Sequence, residues 1–222
     1  MSLAQETRMQ DTPFPEQPNW LSVPAQIITV ICHPVFMPLV MSAWLIFGFR
    51  TDYAEFTFNG KLRLLAAVGL NTIFFPLFTT FLLRKLGFMD SYHMRTSRER
   101  IVPLLASMIF YFWAWNTFRN LEGIQPSLRD FMFGNFVGIV MLFLLNIFIK
   151  VSLHAGAAGA MVGLVFMVML QSATDLSPML FAAILIAGIM GTSRMILRAH
   201  YPLEIWLGYI TGVLTMVIAF LI

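Results

Sequence analysis

Seven stretches of this chain contain no Asp, Glu, Lys or Arg: residues 21–49, 64–83, 101–118, 131–149, 155–172, 177–193 and 205–222. A charge at mid-bilayer costs about 2.5–3.5 kcal/mol on insertion scales. About 20 mostly apolar residues cross a hydrocarbon layer about 30 Å thick. Runs this long and this clean predict an all-α fold, a polytopic transmembrane helical bundle of about seven spans. Six spans plus a re-entrant segment is the competing count. The helical assignment does not depend on helix propensity, because unpaired backbone groups are intolerable in lipid. The sixth run is expected to extend to 197 and the seventh to begin near 202.

Little is left over for a water-soluble domain. Of the 222 residues, 59% are hydrophobic and 11% charged, against about 25% charged in soluble domains. A single membrane domain over 21–222 is predicted. Residues 1–20 carry Glu6, Arg8, Asp11 and Glu16 with Pro13, Pro15 and Pro18. They read as a mostly disordered polar tail, unlike a signal peptide. The net charge of +3 is scattered between apolar runs, which argues against nucleic acid as a partner. Cys32 is the only cysteine, so neither an internal disulfide nor a cysteine metal site can form.

Glycines and alanines crowd the fifth run, and pairs recur as Gly188 with Gly191 and Gly208 with Gly212. Small residues let helices approach closely in lipid, so the last three spans are expected to be the tightest. Asn71, Asn116 and Asn146 are expected to bridge helices. His33, beside Pro34 and Pro38 in the first run, reads as a packing residue at a helix kink, and His93 as a solvated loop residue.

If spans alternate, segments 84–100, 150–154 and 194–200 share one face. That face gathers His93, Arg95, Arg98, Arg100, Lys150, Ser152, His154, Ser193, Arg194, Arg198, His200 and Glu204. The opposite face has no histidine. Cations beside imidazoles and a carboxylate suit a phosphate ester: the cations neutralise phosphoryl oxygens while histidines attack or move protons. A His154, His200 and Glu204 metal site is the weaker alternative, because neighbouring arginines repel a cation. Pro202 suits the first turn of a helix, which puts His200 at its amino end with Glu204 four residues on. A carboxylate there can fix the tautomer of a nucleophilic imidazole.

The segment Ser193-Arg194, five residues, His200, three residues, Glu204 resembles the third signature of the type 2 phosphatidic acid phosphatase superfamily of membrane lipid phosphatases and haloperoxidase-like enzymes, with Glu204 in place of an aspartate. Ser152-Leu153-His154 resembles the second, without its proline and glycine. Arg95, Arg100 and Pro103 resemble the first, with Val102 at the family's arginine position. The helical pattern is similar to a small bacterial branch.

The resemblance implies a hydrolase for a lipid phosphate or polyprenyl diphosphate that works through a phosphohistidine, without metal or cofactor, in a bacterial inner membrane. His200 would attack phosphorus, Glu204 would orient it and His154 would move the proton. Arg95, Arg100, Lys150, Ser152, the Leu153 backbone N–H, Ser193 and Arg194 would hold the phosphoryl group. A non-enzymatic protein that binds or transports lipid phosphates on the same scaffold is the second reading.

Overall fold

The structure, a computed structural model, describes residues 17–49, 53–87 and 101–222. The described residues form eight helices: α1 (Asn19–Ile31), α2 (Met37–Gly48), α3 (Phe58–Lys85), α4 (Ile101–Asn120), α5 (Pro126–Phe148), α6 (Leu153–Gln171), α7 (Ser177–Ile196) and α8 (Pro202–Leu221). Six of them, α3 to α8, are long and apolar enough to cross a membrane, and they match the second to seventh charge-free runs. The chain is an all-α polytopic bundle and an integral membrane protein. The polar stretch 1–20 lies outside the described residues apart from its last four, of which Asn19 and Trp20 already belong to α1.

The first run differs from the uninterrupted span that its apolarity suggests. It is two helices of 13 and 12 residues, each roughly 20 Å long at ~1.5 Å per residue, short of the ~30 Å hydrocarbon layer. Pro34 and Pro38 are the cause: neither can donate a backbone hydrogen bond, and each restricts the residue before it. The chain between the helices is turned, with Phe36 N donating to His33 O at 2.9 Å. Because proline is apolar, this break leaves no trace in a charge count.

Within α3, residues Leu70–Phe74 form a π-helical turn just before Pro76. Widening the helix there accommodates a proline ring that would otherwise meet the preceding turn. Asn71 Nδ2 donates to Ala67 O at 2.9 Å, within its own helix. Asn116 likewise accepts from Asn120 Nδ2 in the same helix, so neither asparagine bridges helices through these bonds, contrary to expectation. Asn146 is buried.

The tightest pairing is α6 against α8. A Cβ at Gly208 would lie 2.7 Å from Ser152 O, and one at Gly212 would lie 2.5 Å from Ala160 N. Only glycine allows backbones so close. The second large neighbour of α8 is α5, where Gly134 faces Met216, and α7 instead packs on α6 and α1. The expectation that the last three spans pack tightest therefore holds for α6 and α8 only. Gly191 abuts the Tyr209 side chain, whereas nothing lies within 4 Å of a Cβ at Gly188.

Candidate functional site

Alternation of the long helices brings the carboxyl end of α7 and the amino ends of α6 and α8 to one face. Ser152 caps α6, its Oγ accepting from Ala155 N at 3.3 Å. Pro202 opens α8 with its fixed φ. The backbone joins the two helix starts directly, because Ser152 N donates to Glu204 O at 3.1 Å. One hydrogen bond thus couples the segments that carry His154 and His200.

Arg198 ends α7 in the left-handed region at φ 52°. Leu197 N donates to Ser193 O and Ala199 N to Arg194 O, both at 3.0 Å. This tight close of the helix turns the chain back so that His200 arrives immediately before α8. The conformation is unfavourable for a residue with a Cβ, and here it delivers a buried histidine.

His200 Nδ1 lies 2.7 Å from Glu204 Oε2, with the His200 side chain 1% exposed and that of Glu204 14%. A carboxylate accepts, so Nδ1–H donates and the lone pair of the neutral ring falls on Nε2. Glu204 Oε2 also accepts from Tyr201 N at 3.2 Å, which holds the carboxylate from a second side.

His154 sits in the first turn of α6. Its Nε2 lies 3.3 Å from Thr29 O at the end of α1. A carbonyl only accepts, so Nε2–H donates and Nδ1 is the atom left to exchange a proton. Arg194 lines the same cavity as His33, His154 and His200, which sets a fixed positive charge beside the imidazoles.

The imidazoles and Arg194 line one cavity of about 440 Å³, whereas Glu204 stands behind His200 and is not among the lining residues. His33, His154, Arg194 and His200 stand at its polar end, and its walls include Met37, Pro76, Leu104, Leu142 and Met161. It extends to Met216, and from Glu204 to Met216 α8 rises roughly 18 Å at ~1.5 Å per residue. Thr72, Ser107, Asn135 and Thr215 add polar groups to a lining that is otherwise mainly apolar, so the space is charged at one end and mostly apolar beyond it, the polarity of an amphiphile. Leu153, in the first turn of α6, also lines it, beside a helix amino terminus that attracts anions.

Other residues singled out in the sequence stand elsewhere. Ser193 Oγ donates to Ile189 O at 2.8 Å. Neither Ser152, Ser193 nor the half-buried Lys150 is among the residues lining the cavity. Arg95 and Arg100, with His93, Arg98 and the remainder of segment 88–100, lie outside the described residues. Among the described residues, no group of three or more His, Cys, Asp or Glu side chains is arranged to hold a metal ion.

His33 is the residue that sequence reasoning passed over. Its ring centroid is 5.3 Å from that of His154, at an interplanar angle of 81°. The available signals were an ionisable residue within an apolar run and the adjacent Pro34 and Pro38, which mark a kink but not the cavity into which it carries the ring.

The fold and cavity define a polytopic helical membrane protein with an interior amphipathic pocket. Comparison of the chain with protein-family models, characterised proteins and solved structures gives no match.

Proposed function

We propose that the chain is a membrane-embedded hydrolase of the bacterial inner membrane that removes phosphate from a lipid phosphate or diphosphate through a phosphohistidine. The supporting observation is the His200–Glu204 pair at 2.7 Å, at the polar end of an apolar cavity shared with His154 and Arg194. The sequence resemblance to type 2 phosphatidic acid phosphatases points the same way.

His200 Nε2 attacks phosphorus, a P–N bond forms, and the P–O bond to the lipid or to its terminal phosphate breaks. Once the anionic phosphate is bound and offsets the Arg194 charge, His154 takes up a proton, and the imidazolium gives its Nδ1 proton to the departing oxygen. Neutral His154 then takes a proton from water, which attacks the phosphohistidine and frees phosphate and His200. Arg194 stabilises the equatorial oxygens, with Arg95, Arg100 and Lys150 as further cations. Glu204 balances the charge that develops on His200. In this sequence the side chains carry the charge and His154 passes protons from water to the departing oxygen, so no step is assigned to a metal or cofactor.

Phosphate release by purified protein from polyprenyl diphosphate, phosphatidylglycerophosphate, phosphatidic acid and a lipid A phosphate tests the reading. Release is expected to be blocked by vanadate, insensitive to chelators and absent in His200→Ala. A wild-type protein that binds these lipids without releasing phosphate would instead establish a lipid-phosphate binding or transport protein.

A further inference from the structure

The break between α1 and α2 does more than bend an apolar segment. The last carbonyls of a helix have no donor within it, and one near the end of α1, Thr29 O, meets His154 Nε2 at 3.3 Å. Two residues past the helix, His33 is fixed by its own turn, because Val35 N donates to His33 Nδ1 at 3.3 Å. The ring so held stands nearly perpendicular to that of His154, with centroids 5.3 Å apart, a favourable edge-to-face geometry. Both rings line the cavity with Arg194 and His200.

We infer that His33 is a positioning residue for His154, and that the α1–α2 break is the clamp that presents His154 Nδ1 to the cavity. The Thr29 carbonyl selects the nitrogen that carries the proton, and the His33 ring sets the plane of the imidazole. Neither task is done by α6, which contributes only the backbone from which His154 projects. The kinetic part of this inference rests on the hydrolase reading, whereas the structural part does not.

The structural test is ¹⁵N NMR of histidine-labelled protein in detergent, with His154→Ala assigning the signal. Wild type and His33→Phe, which keeps an aromatic ring, are expected to show one His154 tautomer with the proton on Nε2. His33→Ala is expected to show tautomer averaging, because an imidazole whose plane is no longer held turns away from Thr29 O and loses the bond that selects its tautomer. A His154 signal unchanged in folded His33→Ala overturns the inference, whatever the protein hydrolyses.

The kinetic test compares a lipid alkyl phosphate with 4-nitrophenyl phosphate, whose leaving group departs without a proton. For the lipid, kcat of His33→Ala should fall about 10²-fold, the size of loss that slight misplacement of a reacting group produces, with KM unchanged. His33→Phe should retain most of the activity, and with the aryl phosphate His33→Ala should release a near-normal first-turnover burst of nitrophenolate while its steady-state rate falls, because His154 also deprotonates the water that attacks the phosphohistidine. A raised KM with normal kcat would make His33 a substrate contact and overturn the positioning role. If wild type is inert toward every phosphate while His33→Ala still loses the fixed tautomer, the hydrolase reading fails and the clamp stands.

Discussion

The α6–α8 pair and the α1–α2 pair both reach the same cavity, and they are built on opposite principles. In α6–α8, regular helices are drawn together by glycines until backbone touches backbone, and the tie from Ser152 N to Glu204 O locks their starting turns. In α1–α2, proline breaks the helix, and the break supplies a carbonyl and an imidazole. Regular helices give close, reproducible placement but spend their backbone polar groups internally. An interrupted helix frees such groups, a use confined in membranes to backbone that is buried or lines a cavity. Under the proposed function, the first pair carries the reacting groups and the second orients them.

That division of labour can be broken experimentally. The largest effect is expected from His200→Ala, which removes the proposed nucleophile from the α8 side and should reduce phosphate release to background in an assay with wild-type protein alongside. Glu204→Gln keeps the shape but removes the charge beside His200, and kcat should fall about 10²- to 10⁴-fold, the range for acid–base partners. If either α8 variant costs less than His33→Ala, the assignment of roles to the two pairs is reversed.

Gly212→Ala probes the packing alone. Its new Cβ would meet the backbone of α6, so overpacking should cost about 1–3 kcal/mol, read as a lower unfolding midpoint in detergent. An unchanged midpoint would mean the α6–α8 contact is looser than described. The smallest change is expected at Arg198→Gly. Relief of the left-handed conformation should stabilise the turn by about 1 kcal/mol, visible as a slightly raised midpoint with activity retained. Lost activity there would show that the exposed Arg198 side chain contributes to the site.

Much of the bundle was legible because charge-free runs report membrane crossings residue by residue. The ends of α4 to α8 fall within a few residues of their runs, with Pro126 and Pro202 marking two helix starts. The pairing of His200 with Glu204 was legible too, since four residues on a helix bring side chains together whatever surrounds them. The clamp on His154 was not. Its partners Thr29 and His154 are 125 residues apart, and no local spacing encodes that meeting. The π turn of α3 was hidden for a related reason: a proline in an apolar run can kink, break or widen a helix, and the neighbouring helices select among these.

That widened turn has a consequence for the cavity wall. An extra residue in one turn rotates everything after it by about 100° about the helix axis, one step of a 3.6-residue helix. The register beyond Phe74 is therefore offset from the register before it, and with this offset Thr72, Pro76, Leu77 and Thr80 all reach the cavity. A single local irregularity thus selects which side chains of α3 form the lining, and an unbroken α-helix with the same residues would turn a different stripe inward.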